Sequence, residues 1–186
     1  MTTSTPDADF GFQLRTALRD GTPVTIRVMR LDDRERLIAA FAKLEQGTIY
    51  TRFFSFMKEI PPRALDRIAQ IDFAHLAGLV ATIGSGADET VIGGATYVAD
   101  DARDGKRAAE VAFTIEEDYQ GQGLATKLFQ ALRAIAVRHG IVRFTADVLS
   151  GNAPMLAVFA RAGLPIRRQR EGGVLHIEIE LEPKPS

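Results

Sequence analysis

The chain has 186 residues, 46% hydrophobic and 25% charged, a formal net charge of −1 and no cysteine. Those values fit one soluble globular domain with a substantial core. The near-zero charge gives no field for nucleic acid or an anionic membrane, and the missing cysteine excludes disulfides, a thiol nucleophile and thiolate metal sites.

Met1 to Asp9 is polar and mildly acidic and reads as a frayed tail, with flexibility expected over residues 1–20. It lacks the basic stretch and apolar core of a secretory signal. No run approaches the ~20 apolar residues that span a bilayer. The expected location is the cytoplasm. After the turn signal Asp20-Gly21, Thr22 to Met29 reads as a strand. Leu37, Ile38, Phe41 and Leu44 recur at helical spacing, and Gln46-Gly47 is expected to end that helix. Thr48 to Phe56 suggests one or two helical turns. Pro62 suits the first turn of a helix through Ala69.

His75 to Ile83 and Val91 to Val98 read as strands joined by the loop Gly84 to Asp88. Asp100 to Lys106 is charged and turn-rich, an expected mobile loop. Ala108 to Ile115 is the next strand, and Leu124 to Arg138 an amphipathic helix. Ile141 to Leu149 is a strand, and Asn152-Ala153-Pro154 opens a helix through Arg161 that Gly163 stops. Leu164 to Arg168 and Val174 to Leu181 close the chain as strands. The predicted fold class is α/β (α+β): a mixed, mainly antiparallel sheet of six to seven strands flanked by helices.

The most informative segment is Gln120-Gly121-Gln122-Gly123-Leu124-Ala125, between a strand and a helix. Glycines at a helix start leave backbone N–H groups uncovered, and the helix end carries partial positive charge. Together these suit a phosphate or diphosphate. A lone Gly-x-Gly is equally an ordinary turn. A dinucleotide fingerprint fits poorly despite Asp147 near a ribose-binding position. Thr126 stands at its third glycine, and Glu116-Glu117-Asp118 brings like charge toward a diphosphate. A P-loop fails because no Gly-Lys-Ser/Thr follows.

In its wider context, Ile115 to Ala125 resembles the acyl-CoA signature of the GNAT-superfamily N-acetyltransferases, Gln/Arg-x-x-Gly-x-Gly/Ala after a strand. Gln120, Gly123 and Ala125 fill its defined positions. Asn152-Ala153-Pro154-Met155-Leu156, Phe159 and Gly163-Leu164 resemble that family's second cofactor-side segment. Tyr50 to Phe54 and Ile92 to Ala95 resemble the bacterial protein lysine acetyltransferase branch. The likeness spans about Val24 to Leu181 and implies one N-acetyltransferase domain over residues 21–183.

The resemblance implies acetyl-CoA as acyl-donor substrate and no metal. Pantetheine would lie between splayed strands along Phe113, Thr114 and Ile115. The diphosphate would rest on N–H groups of Gln120, Gly121, Gln122, Gly123, Leu124, Ala125 and Thr126, with Asn152 touching the pantetheine and capping its helix. Lys127 and Arg133 either add charge to that site or lie on a solvated face. Acetyl transfer needs a neutral amine, and a lysine of pKa ~10.4 pays about 4–5 kcal/mol for neutrality at pH 7.

Glu110 alternates onto one strand face with Ala108, Ala112 and Thr114. Small apolar neighbours leave room for a substrate and would raise its pKa. The resemblance implies Glu110 as general base; a sheet-edge ion pair is the plain alternative. Relatives use a tyrosine as acid where Phe159 stands, which removes the obvious proton donor. Tyr119 is expected to pack beside the turn. His75, His139 and His176 lack ligand spacing. Arg167-Arg168-Gln169-Arg170 reads as solvated. The acceptor, possibly a protein lysine, would meet Tyr50 to Phe56, the Asp100 to Lys106 loop and the last strands. A small-molecule amine acetyltransferase and a non-catalytic acyl-CoA sensor are the other readings.

Overall fold

The computed structural model describes residues 6–53, 59–101 and 105–182. Eight strands form one sheet, β1 (Gln13–Ala17), β2 (Pro23–Val28), β3 (Leu76–Ile83), β4 (Thr90–Ala99), β5 (Arg107–Ile115), β6 (Ile141–Leu149), β7 (Ile166–Glu171) and β8 (Val174–Glu180). Their spatial order is β1-β2-β3-β4-β5-β6-β8-β7. Every neighbouring pair is antiparallel except β5 with β6. The helices are α1 (Pro6–Phe10), α2 (Arg34–Lys43), α3 (Gln46–Phe53), α4 (Pro62–Asp66), α5 (Leu124–Arg138) and α6 (Ala153–Arg161).

Sequence pattern explains the layering. β3 is a nearly unbroken apolar run, and six of its eight residues are buried, as a strand covered on both faces requires. α5 buries Leu124, Leu128, Phe129, Ala131, Leu132, Ile135 and Ala136, a stripe at helical spacing. Phe129 meets Phe113, Phe144 and Phe159 with ring centroids 5.9–6.3 Å apart, so α5 and α6 lie over the Val111/Phe113 face of β5. Burying such a ring contributes about 1.5–3 kcal/mol. On the opposite face, Leu37 and Phe41 of α2 and Leu65 of α4 enclose an apolar cavity of about 150 Å³ with Ala112 and Thr114. Among the described residues no helix is long and apolar enough to cross a membrane.

Polar contacts fix the rest. Arg27 donates to both carboxylate oxygens of Asp33 at 2.7 Å and to Glu89 at 3.1 Å. Arg27 and Asp33 are both buried. The Tyr97 hydroxyl, in the centre of the core, donates to the Phe73 carbonyl at 2.5 Å, and burial pushes its pKa well up.

Several expectations need correction. Residues 1–20, expected to be flexible, hold regular structure from residue 6 on: Pro6–Phe10 is helical and Gln13–Ala17 pairs with β2 from Gln13↔Arg27 to Ala17↔Pro23. β1 is an exposed edge strand with no apolar alternation to reveal it. It raises the strand count to eight. Buried Asp9 pairs with Arg138 and accepts from His139 at 2.7 Å, fastening α1 to the end of α5. Gln46-Gly47 opens α3 rather than ending α2, which stops at Lys43. Residues 1–5 of the tail, 54–56 of the Thr48 to Phe56 segment and 102–104 of the Asp100 to Lys106 loop lie outside the described residues.

Candidate active site

β5 and β6 share only four register pairs, from Arg107↔Ile141 to Glu110↔Thr145. Beyond them β5 runs on to Ile115, still paired with β4, and β6 runs on to Leu149, still paired with β8. The two strands have parted. The β5 edge over residues 111–115 therefore has no strand partner on this side; the Ile115 carbonyl accepts from the Gln120 side chain, and the other backbone groups facing the gap are open to water or a ligand. A cleft of about 540 Å³ opens beside this edge, between the starts of α5 and α6.

The glycine turn closes one end of the cleft. Gly121 has φ +71° and Gly123 φ +87°, conformations that side chains disfavour. Gly123 is the N-cap of α5, and no side chain caps the helix. The first N–H groups of α5 have no intrahelical partner, so the turn presents uncovered donors at a positive helix end. No acidic residue occupies the first turn of α5. The start of α6 contrasts with this, since the Asn152 carboxamide accepts from the Met155 N–H at 3.2 Å.

Most of the expected cofactor-side residues meet here. Phe113, Ile115, Gln120, Gly121, Gly123, Leu124, Ala125, Thr126 and Asn152 line the cleft. Two expected side chains do not. Thr114 alternates to the opposite face and lines the apolar cavity there. Gln122 turns to the β1–β2 hairpin, where its backbone and side-chain oxygens accept from Arg19 N–H at 3.2 Å and Asp20 N–H at 3.2 Å. Gln120 donates to the Ile115 carbonyl at 2.9 Å, tying the turn to the end of β5.

Glu117, one of the acids expected to oppose a diphosphate, accepts from the Glu45 N–H at 2.9 Å and so holds the connector to the chain entering α3. Tyr119 packs against the core beside the turn; burial, helped by Glu116 and Asp118, raises its pKa.

Glu110 sits where the strands part, on the face opposite the Phe113 cluster. Its side chain is exposed, and among the described residues its carboxylate has neither hydrogen bond nor ion pair. The apolar enclosure expected around it is absent: Ala108 and Ala112 are small, so they leave the carboxylate open to solvent instead of covering it. Its neighbours across the strands are Val98, 38% exposed, and Thr145.

Phe159 is buried against Phe113 and Phe129 and has no hydroxyl to offer. Arg133 adds no charge to the turn and does not lie free in solvent. It donates to the Leu181 carbonyl at 2.9 and 2.5 Å, anchoring the end of the last strand. His176 lies between Asp147 and Glu171, whose hydrogen bonds raise its pKa. Among the described residues there is no group of three or more side chains suited to a metal ion.

Sequence reading missed Arg19, Thr48 and Arg161, which also line the cleft. Nothing local marks them. Arg19 reaches the turn across 102 residues of sequence, through the hairpin alone.

Comparison with known proteins decides what this arrangement belongs to. The model of the acetyltransferase (GNAT) family matches residues 47–164. The chain belongs to this family. Acetyltransferase Pat of Mycolicibacterium smegmatis is 35% identical to this GNAT chain over 169 residues, covering 89% of the chain and 48% of that relative. An acetyltransferase of Pseudomonas aeruginosa is 35% identical over 124 residues, covering 67% of the chain and 65% of the relative. The GNAT chain thus spans about half the length of the first curated relative and under two thirds of the second.

Among solved structures, the GNAT domain of S. lividans PAT superposes with a TM-score of 0.80 at 32% identity, covering 90% of this chain and 96% of that one. The Salmonella typhimurium protein yncA, solved with its cofactor acetyl-CoA, superposes with a TM-score of 0.68 at 18% identity, a likeness of fold alone. Membership in a family of acyl-transferring enzymes supports the enzymatic reading of the parted strands and the uncapped helix start.

Proposed function

We propose that the chain is an acetyl-CoA-dependent N-acetyltransferase, acting in the cytoplasm on a primary amine, preferably a protein lysine, with residues 21–183 and the α1–β1 segment that precedes them as one catalytic domain. The observation that carries the reading is the unpaired β5 edge leading to the uncapped start of α5. An extended pantetheine arm matches the first feature, because it carries amide groups that can bond a free strand edge. A diphosphate matches the second. The lysine preference rests on likeness to proteins named Pat and is the finer part of the proposal.

In the proposed reaction Glu110 takes a proton from the acceptor ammonium, directly or through water. The freed nitrogen attacks the thioester carbon and the C–N bond forms; the nitrogen, now positive, gives its extra proton to solvent as the C–S bond breaks, and Glu110 passes the proton it took to solvent as well. β5 N–H groups polarise the carbonyl oxygen. The departing thiolate, with a pKa near ~8.5, takes its proton from solvent. The amine enters over the open face beside Val98 and Thr145. No covalent enzyme intermediate is needed.

One observation favours a second reading, a non-catalytic acyl-CoA sensor: Phe159 supplies no acid. The open, unpaired Glu110 carboxylate weighs against it. Thermal shift with acetyl-CoA, combined with thiol release against protein and small amine acceptors, separates them. Stabilisation with thiol release supports the enzyme. Stabilisation without release on any acceptor supports the sensor, and absence of stabilisation by any CoA ester overturns both.

A further inference from the structure

The turn of the N-terminal hairpin reaches the glycine turn of the cleft. Arg19 N–H donates to the Gln122 carbonyl at 3.2 Å, and its guanidinium donates to the Gly121 carbonyl at 3.1 Å. Asp20 N–H adds a bond to the Gln122 side chain at 3.2 Å. Leu18, just before the turn, is buried and fixes the hairpin to the core. Three contacts thus hold an arginine against the site. They also place Arg19 Nε 3.8 Å from where a Cβ on Gly123 would stand, beside the N-cap of α5.

This arginine has capacity to spare. A guanidinium carries five donors, and Arg19 spends one on a neutral carbonyl. Among the described residues no carboxylate pairs with it, and it lines the cleft. The glycine turn itself, Gln120 to Thr126, holds no cation, and the other arginine lining the cleft, Arg161, belongs to the far end of α6. Gln120 is neutral and donates inward to the Ile115 carbonyl. Backbone amides contribute dipoles without formal charge, and Glu117 adds negative charge to the same wall. A dianionic diphosphate resting there calls for a cation, and arginine pairs with phosphate oxygens in a bidentate fork.

We propose that Arg19 is a substrate-binding residue for the diphosphate of the acyl-CoA donor, supplied from the N-terminal hairpin in place of a cation within the glycine signature. The inference rests on the proposed acyl-CoA site. The test uses the full chain, with calorimetric affinities for CoA and 3′-dephospho-CoA and kcat/KM for acetyl-CoA and S-acetylpantetheine, which lacks the diphosphate.

The expected result for Arg19→Ala is a loss of about tenfold or more on CoA and dephospho-CoA alike, a flatter salt dependence, and unchanged kcat/KM for S-acetylpantetheine. Arg19→Lys should recover part of the loss. A deficit confined to CoA would assign the residue to the 3′-phosphate and overturn the proposal. So would an equal deficit on S-acetylpantetheine, which would mark a general folding effect, or no deficit at all. If the unaltered protein binds CoA while Arg19→Ala is indifferent, only this inference fails. If the unaltered protein binds no CoA ester, the proposed function fails with it.

Discussion

Glu110 and Thr145 form the last register pair between β5 and β6, and the strands separate immediately beyond them. The carboxylate therefore stands at the closed end of the opening, where a thioester carried along β5 would end. Glu110→Gln keeps the shape and removes the base. The expected outcome is a kcat/KM lower by roughly 10²–10⁴ at neutral pH, with acetyl-CoA affinity unchanged within about twofold, since the carboxylate does not line the cleft. Steady-state kinetics together with calorimetry check it. Full turnover in the variant would remove Glu110 from the mechanism.

Gly123 tests the cradle. At φ +87° a side chain costs about 1–2 kcal/mol. Gly123→Ala should lower the melting temperature by several degrees, and CoA affinity should fall beyond what that loss of stability accounts for, because the first N–H groups of α5 shift. Wild-type affinity in the variant would show that the turn does not hold the ligand.

Asn152 gives a smaller, cleaner effect. Asn152→Ala deletes the acceptor for Met155 N–H, and loss of such a cap costs about 1 kcal/mol. Denaturant unfolding should report that decrement with an unchanged slope. Asn152→Asp retains an acceptor and should restore stability.

Acid should act through two buried carboxylates. Burial opposes ionisation of Asp33, but hydrogen bonds from Arg27 and the Arg30 N–H outweigh it and leave the pKa below the ordinary 3.8. Asp9 is likewise lowered, with burial outweighed by hydrogen bonds from Arg138 and His139. A carboxyl whose folded pKa is depressed contributes stability that is complete above its unfolded value. That stability is lost as pH falls through the folded value. Unfolding free energy should therefore decline below about pH 4, the range where free aspartate protonates. Asp33→Asn should cost about 3–5 kcal/mol near neutrality, because it strands Arg27 without its main partner in the interior. Urea titrations across pH 2–7 check both statements. A flat profile would mean that neither carboxyl is depressed.

The sequence announces elements whose own pattern carries the signal. α5 shows its buried stripe and its glycine start, and both of its ends agree with the structure. β3 and β5 are apolar enough to stand out, and Asn152 three residues before Met155 reads directly as a cap. What escapes is set by distant contact. β1 has no alternating face, so only its pairing with β2 makes it a strand. Arg133 looks like a surface helix residue until the end of β8 brings Leu181 to it. Glu110 was placed on the correct face by strand period, but its exposure depends on how far α2 and α4 extend over the sheet, which no local pattern records. Arg19 belongs to the cleft only because a hairpin folds across it.

The four-rung parallel ladder has a mechanical consequence. Strands β1 to β5 form one slab and β6, β8 and β7 another, and the weld between them runs along less than half of β5. A donor lying in the gap would lace the slabs together as an extra strand. Amide protons along residues 111–115 and 146–149 that face the gap should exchange readily in the free protein and slow sharply once the donor is bound. The sheet would then stiffen only when loaded, and the tightening itself would report occupancy before any acyl group moves.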